Sequence, residues 1–262
     1  MSAEAALVFV FGAFLGSFLN VCIYRLPRKE SIIWPGSKCP ACAAPVPLWL
    51  NVPIISYLLL RGRCSKCNIK ISPQYLVVEV LSAIFLVFVW RQYSFSITFI
   101  QYSVLILLLL TISFIDIRTK LILNVLTVPG LIIGLALSPF STEISLLQSM
   151  LGVLVGGGFL WAIGISGEMV FKQESMGGGD VKLGAMIGAF LGPKVVIALF
   201  LAFFLALPVI AVGLGFRKLQ FGSKVPFGPF ISLGSLLILF LGPFLLQKYM
   251  EVMGVVGQGR IL

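Results

Sequence analysis

The chain contains no histidine, and only two of its nine acidic residues are aspartates, Asp116 and Asp180. Without an imidazole, neither a Ser-His-Asp or Cys-His nucleophile nor a His-ligated metal centre can be assembled. Charge of either sign is also scarce, at 11% of 262 residues, where a soluble domain carries roughly a quarter. A surface built from so few charges would not stay dissolved, which excludes a soluble globular enzyme, a DNA-binding module and a disordered scaffold. What is present is apolar: 59% hydrophobic residues and a mean hydropathy of +1.10. The composition is that of an integral membrane protein. Its net charge of +10 is read as basic loops obeying the positive-inside rule, with no nucleic-acid partner.

A crossing needs about 20 apolar residues. Runs near that length predict an all-α, polytopic membrane helix bundle with about eight transmembrane helices, near 5–24, 75–90, 97–115, 121–138, 146–166, 181–192, 194–216 and 226–247. The sixth is short, carries Gly184, Gly188 and Gly192 and runs into Pro193, so a re-entrant segment is its alternative. Eight crossings with the N-terminus outside put fifteen of the nineteen basic residues in the cytosol. Arg91, Lys194, Lys248 and Arg260 remain outside; a re-entrant sixth segment would move Arg217, Lys218 and Lys224 to the wrong side. Basic residues follow the first apolar run and do not precede it, the pattern of an uncleaved anchor. Glycines four apart, Gly12/Gly16, Gly130/Gly134, Gly152/Gly156 and Gly184/Gly188, predict close helix packing. The expected domains are a first transmembrane helix at 1–24, a cytosolic four-cysteine loop at 25–74 and a membrane domain at 75–262.

That loop holds Cys39-Pro-Ala-Cys42 and Cys64-Ser-Lys-Cys67, with 21 residues between the pairs. Each CxxC can clamp half of a tetrahedral Zn2+, and a closed set of four thiolates leaves no position open for catalysis, so the expected zinc is structural. Two disulfides or a redox CxxC are the competing readings; a reducing cytosol disfavours the first. Cys22 is expected to be a small buried hydrophobe.

Asp116 ends the third crossing and Asp180 opens the sixth, after Gly177-Gly178-Gly179. In the eight-crossing topology both lie at the cytosolic membrane boundary. Two carboxyls a few Å apart can share a proton, one acting as base on a water between them, which is aspartic peptidase chemistry without metal or histidine. The glycines would let a substrate backbone approach and would permit dihedrals closed to other residues. Solvated boundary residues or helix caps are the alternative for two such aspartates.

Taken in order, the motifs resemble the bacterial type IV prepilin peptidases. They are Gly16-Ser17-Phe18-Leu19-Asn20-Val21, Tyr24-Arg25-Leu26-Pro27, Trp34-Pro35-Gly36-Ser37, both CxxC pairs, Asn51-Val52-Pro53-Ile54-Ile55-Ser56-Tyr57, Leu60-Arg61-Gly62-Arg63-Cys64, Val78-Glu79, Asp116, the Gly-Gly-Gly-Asp180 run and Pro226-Phe227-Gly228-Pro229. The resemblance implies a GxGD-type aspartic peptidase of the bacterial inner membrane, with Asp116 and Asp180 as its catalytic pair. It further implies that the enzyme cleaves the leader from prepilins and type II secretion pseudopilins on the cytosolic side. N-methylation of the new N-terminus with S-adenosylmethionine would follow. Asn20, Arg25, Glu79 and the three glycines are the candidates for substrate or methyl-transfer support. The sequence departs from the family at Ile122-Leu123-Asn124, where a proline usually precedes the last residue. A peptidase without methylation, a transporter and a non-catalytic adaptor are the rival readings. A transporter would be expected to carry ionisable groups at mid-membrane depth.

Overall fold

The computed structural model describes residues 2–34, 36–39, 41–172, 176–216 and 225–252. Pro35 and four basic residues of the charge count, Arg217, Lys218, Lys224 and Arg260, lie outside the described residues. Within them the fold is helical, with two isolated β-bridges and no extended strand. The helices are α1 (Ala3–Arg25), α2 (Ile55–Leu59), α3 (Gln74–Tyr93), α4 (Ile97–Thr119), α5 (Asn124–Leu137), α6 (Leu146–Phe171), α7 (Gly178–Leu191), α8 (Val195–Gly215) and α9 (Gly228–Val252). All but α2 coincide with the eight expected segments. Lipid offers no hydrogen-bonding partner to a peptide group, so these apolar stretches close their backbone bonds internally as helices.

By length and composition, 3–28, 74–93, 97–119 and 146–170 can each cross a membrane, as can the continuous stretch 178–213. That last stretch is broken. Gly192 adopts φ +60°, and a turn of 3-10 helix over Gly192–Lys194 separates α7 from α8. With 14 residues each, α5 and α7 are about 21 Å long at 1.5 Å per residue, shorter than the hydrocarbon core.

The outer helices separate an exposed stripe from a packed one, whereas α7 has no exposed residue from Leu183 to Leu191. On α1, Leu7, Phe11, Phe14 and Phe18 are exposed, whereas Val8, Gly12, Gly16 and Ile23 are buried. The glycine pairs mark the packed stripes. A Cβ on Gly12 or Gly16 would run into Ala83 or Ser82 of α3. On α5, Gly130 and Gly134 face Met186, Ala189 and Phe190 of α7. The closest approach joins two pairs: Gly152 of α6 lies against the carbonyl of Gly188 on α7, and Gly156 against that of Gly184. Thus α7, broken and short, is wedged between α5 and α6 by backbone contact, which an apolar solvent cannot drive but close van der Waals packing can.

Chain direction alternates, so the ends of α1, α4 and α6 gather with the starts of α3, α5, α7 and α9. Three contacts between elements fix this end. Asn20 Nδ2 donates to the Tyr75 carbonyl (3.0 Å), Lys182 Nζ to Asn124 Oδ1 (2.9 Å), and the Gly228 amide to Asp116 (2.9 Å). At the other end Lys194 pairs with Glu143 (3.6 Å) and Thr98 bonds to Thr142 (3.1 Å).

Candidate active site

Asp116 sits in the last turn of α4 and is only 4% exposed. A buried carboxylate must be hydrogen-bonded. Its Oδ2 accepts from the backbone N–H of Gly228, the first residue of α9. The glycine is required by space: a Cβ there would lie 2.8 Å from the same oxygen. Gly228 belongs to the Pro226-Phe227-Gly228-Pro229 motif, to which the sequence alone assigned no role. Phe227 beside it packs at a tilt against Phe203 of α8, centroids 4.9 Å apart, steadying the entry to α9.

Asp180 occupies the first turn of α7, half-buried, with its amide donating to the Gly177 carbonyl (3.0 Å). The two aspartates share one end of the bundle, Asp116 in the last turn of α4 and Asp180 in the first turn of α7. Two carboxyls brought to within a few Å of each other can hold a proton between them and polarise a water.

The three glycines divide by task. None uses a left-handed dihedral; Gly177 is extended at φ −69° and ψ 135°, and only Gly62 and Gly192 among the described glycines have positive φ. The expectation of special dihedrals is therefore corrected, because Gly178 and Gly179 are simply the first turn of α7. Gly179 answers to packing, since its Cβ would meet that of Ile122 at 2.9 Å. Nothing lies within 4 Å of a Cβ on Gly178, and this backbone is open to approach. The missing proline before Asn124 is absorbed locally: Leu123 is extended (φ −84°, ψ 130°) and precedes α5 without a side-chain cap. Lys182 then ties Asn124 to α7.

The four paired cysteines converge, with all four sulfurs within 4.8 Å of one another. Those of Cys39 and Cys67 are 3.9 Å apart, close to the roughly 3.8 Å edge of a tetrahedron with 2.3 Å metal–sulfur bonds. The two knuckles are built alike. In each, the first cysteine's N–H bonds to the carbonyl five residues on (Cys39 to Ala44, Cys64 to Ile69, both 2.9 Å), and the intervening turn places Ala43 and Asn68 at φ +55° and +59°. A β-bridge closes each, Lys38 with Pro45 and Arg63 with Lys70. Turn amides aim at sulfur: those of Cys42 and Ala41 draw the Cys39 thiol down, and those of Cys67 and Lys66 bring Cys64 to about 6. At Cys67 the amide of Ile69 pulls the same way, but desolvation and the adjacent thiols win and push it up to about 11. Four thiolates cannot crowd together without a cation, and this donor set can hold a metal ion. Cys22 is buried in α1 away from this cluster, as a hydrophobe would be.

The remaining candidates separate. Glu79, buried in α3, accepts from the Ile54 amide (2.7 Å). It pins the loop, holding Ile54 at φ +64°. Arg25, also buried, donates to the carbonyls of Ser31 (2.9 Å) and Gly36 (3.1 Å). Asn20, besides its bond to Tyr75, keeps Oδ1 buried without a partner among the described residues. Asn20 and Arg25 border a cavity of about 390 Å³ with Tyr24, Trp34 and Tyr75, which sequence spacing could not have assembled.

Residues 10–93 match the bacterial peptidase A24 N-terminal domain, and residues 103–211 the type IV leader peptidase family. Three relatives, each called a prepilin leader peptidase/N-methyltransferase, extend the similarity over most of the chain. That of Pseudomonas putida is 33% identical over 94% of this chain and 93% of its own. That of Pseudomonas aeruginosa is 30% identical over 93% and 92%, and that of Neisseria gonorrhoeae 31% over 87% of both. No solved structure matches. The two matched regions take in the cysteine knuckles and both aspartates in the order found here, and the chain belongs to the type IV leader peptidase family.

Proposed function

We propose that this protein is a bifunctional membrane enzyme that cleaves the leader from type IV prepilins and type II secretion pseudopilins and then N-methylates the new N-terminal residue with S-adenosylmethionine. The observation that carries the peptidase reading is that the chain's only two aspartates, Asp116 and Asp180, lie at one end of the bundle, where α4 ends and α7 begins. The pair acts as one titrating unit, in which one carboxyl holds the shared proton and the other takes a proton from the attacking water. Gly178 lets the scissile backbone approach, Gly177 and Gly179 shape the start of α7, and the Gly228 amide fixes Asp116. Names of the relatives support both activities.

The working surface faces the cytosol and the bilayer is the inner membrane, a reading supported by the basic residues Arg25, Arg28, Arg118, Lys120 and Lys182 at the same end as the aspartates. The prepilin's apolar helix lies in lipid against the enzyme, with its basic leader at this surface. The working division is a first transmembrane helix (1–24), a loop domain (25–74) and the peptidase domain (75–262). Cys39, Cys42, Cys64 and Cys67 hold a structural Zn2+, the ion that suits a closed four-thiolate set. Asn20 and Arg25 serve methyl transfer, and Glu79 supports them by pinning the loop.

Mass spectrometry of a purified prepilin, incubated in liposomes with wild type, Asp116→Asn and Asp180→Asn, tests the proposal. A shortened, methylated N-terminus is expected from wild type and intact substrate from both variants. Cleavage by either purified variant would remove the dyad.

A further inference from the structure

We infer that the cavity at the end of α1 is the S-adenosylmethionine site, with Trp34, Tyr24 and Tyr75 as its aromatic walls and Asn20, Glu30 and Lys38 as its polar contacts. This rests on the methyl-transfer reading above and gives it a location. At about 390 Å³ the cavity falls in the range of small-molecule sites, roughly 300–1,000 Å³. An independent sign of a ligand is Asn20. Only 3% exposed, it lines the cavity, and with Nδ2 given to the Tyr75 carbonyl its Oδ1 is left without a donor among the described residues. A buried acceptor left unpaired is costly, and a ligand N–H or O–H entering from the cavity would satisfy it.

The lining matches the ligand group by group. S-adenosylmethionine carries a planar adenine, a positively charged sulfur, an ammonium, a carboxylate and two ribose hydroxyls. Aromatic faces accept both the adenine and the sulfur cation. The Glu30 carboxylate takes hydroxyls or ammonium, and Lys38, which forms no ion pair among the described residues, takes the carboxylate. A phosphate-bearing nucleotide would need a cluster of cations, whereas the second cation of the lining, Arg25, already donates to the Ser31 and Gly36 carbonyls. Arg25 is thereby a positioning residue, which holds the segment carrying Trp34 over the cavity. When bound, the group offers a methyl to the lone pair of the freed N-terminal amine, the sulfur keeping the electrons of the broken bond and the amine's proton leaving to water. The cavity lies at the aspartates' end of the bundle, where α1 ends and α3 begins.

Isothermal titration of the purified full-length protein with S-adenosylmethionine tests this, with thermal unfolding as the check on folding. Trp34→Ala and Glu30→Gln alter exposed side chains and are each expected to raise Kd at least tenfold. Trp49→Ala, exposed in the same loop but outside the cavity, is expected to leave Kd unchanged. The same two cavity variants should remove the rise in melting temperature that S-adenosylmethionine gives wild type. If wild type binds and methylates, and both cavity variants bind as tightly, the site lies elsewhere and the activity stands. If wild type neither binds S-adenosylmethionine nor methylates prepilin, the site and the methyl-transfer reading fall together.

Discussion

The membrane body and the cysteine loop solve one problem, how to hold a shape without a large water-excluded core, by opposite means. In the body, α6 and α7 meet because side chains are missing: Gly152 and Gly156 lie on the carbonyls of Gly188 and Gly184. In the loop, Ile33, Trp34, Trp49 and Leu59 are exposed and the buried contacts are few. There the shape comes from two turns and four sulfurs that converge on one point. The difference teaches where each part is vulnerable. The body tolerates changes of chemistry but not of volume at the glycines, and the loop tolerates changes of volume but not of chemistry at the cysteines.

The sharpest test of the body concerns its aspartates, where chemistry does matter. Asp116→Asn or Asp180→Asn should lower the cleavage rate by about 1,000-fold or more while circular dichroism and membrane insertion stay unchanged, because an amide can neither share the proton nor act as a base. Next in size is the loop. Cys42→Ser, or removal of metal with a strong chelator, should abolish the one-to-one zinc content read by elemental analysis and expose residues 31–70 to protease, with the membrane helices left intact. Zinc content unaffected by Cys42→Ser would end the symmetric two-knuckle account. Gly228→Ala comes third. The added methyl would press on the Asp116 carboxyl, and a displacement on the order of 1 Å should slow cleavage by up to about 100-fold without unfolding the bundle. Smallest is Gly188→Ala, which intrudes on the Gly152 carbonyl. It should cost about 1–3 kcal/mol of stability, measured as a lower unfolding midpoint in detergent. If Gly188→Ala and an exposed change such as Gly158→Ala destabilise equally, the body is not held by close backbone contact.

Much of this was legible because membranes restrict the menu of structures. Run length alone located eight helices, and the glycine pairs announced close packing. What the spacing could not say is which helix each pair meets, since Gly130/Gly134 could serve any neighbour as well as α7. The aspartates stood out by their scarcity and position. Asp116's hydrogen-bond donor did not, because Gly228 lies 112 residues later in the chain and a backbone amide has no sequence signature. The three glycines before Asp180 were legible as important and misread in one respect: they spare volume and access, and none needs a left-handed backbone. The cavity was invisible because it borrows from α1, the loop after it and the first turn of α3, and its signal is a buried oxygen without a partner. Glu79 shows the reverse case, a site candidate near the membrane boundary whose visible contact is the Ile54 amide of the loop.

The Gly228–Asp116 hydrogen bond also orders events in time. Synthesis runs from the N-terminus, so at ribosomal speed Asp116 enters the membrane on the order of ten seconds before the amide that fixes it. During that interval both aspartates can be in the bilayer and α9 is still absent. In the proposed reading the site is armed only when α9 arrives, and a nascent chain stalled before α9 holds both aspartates without the amide that fixes one of them.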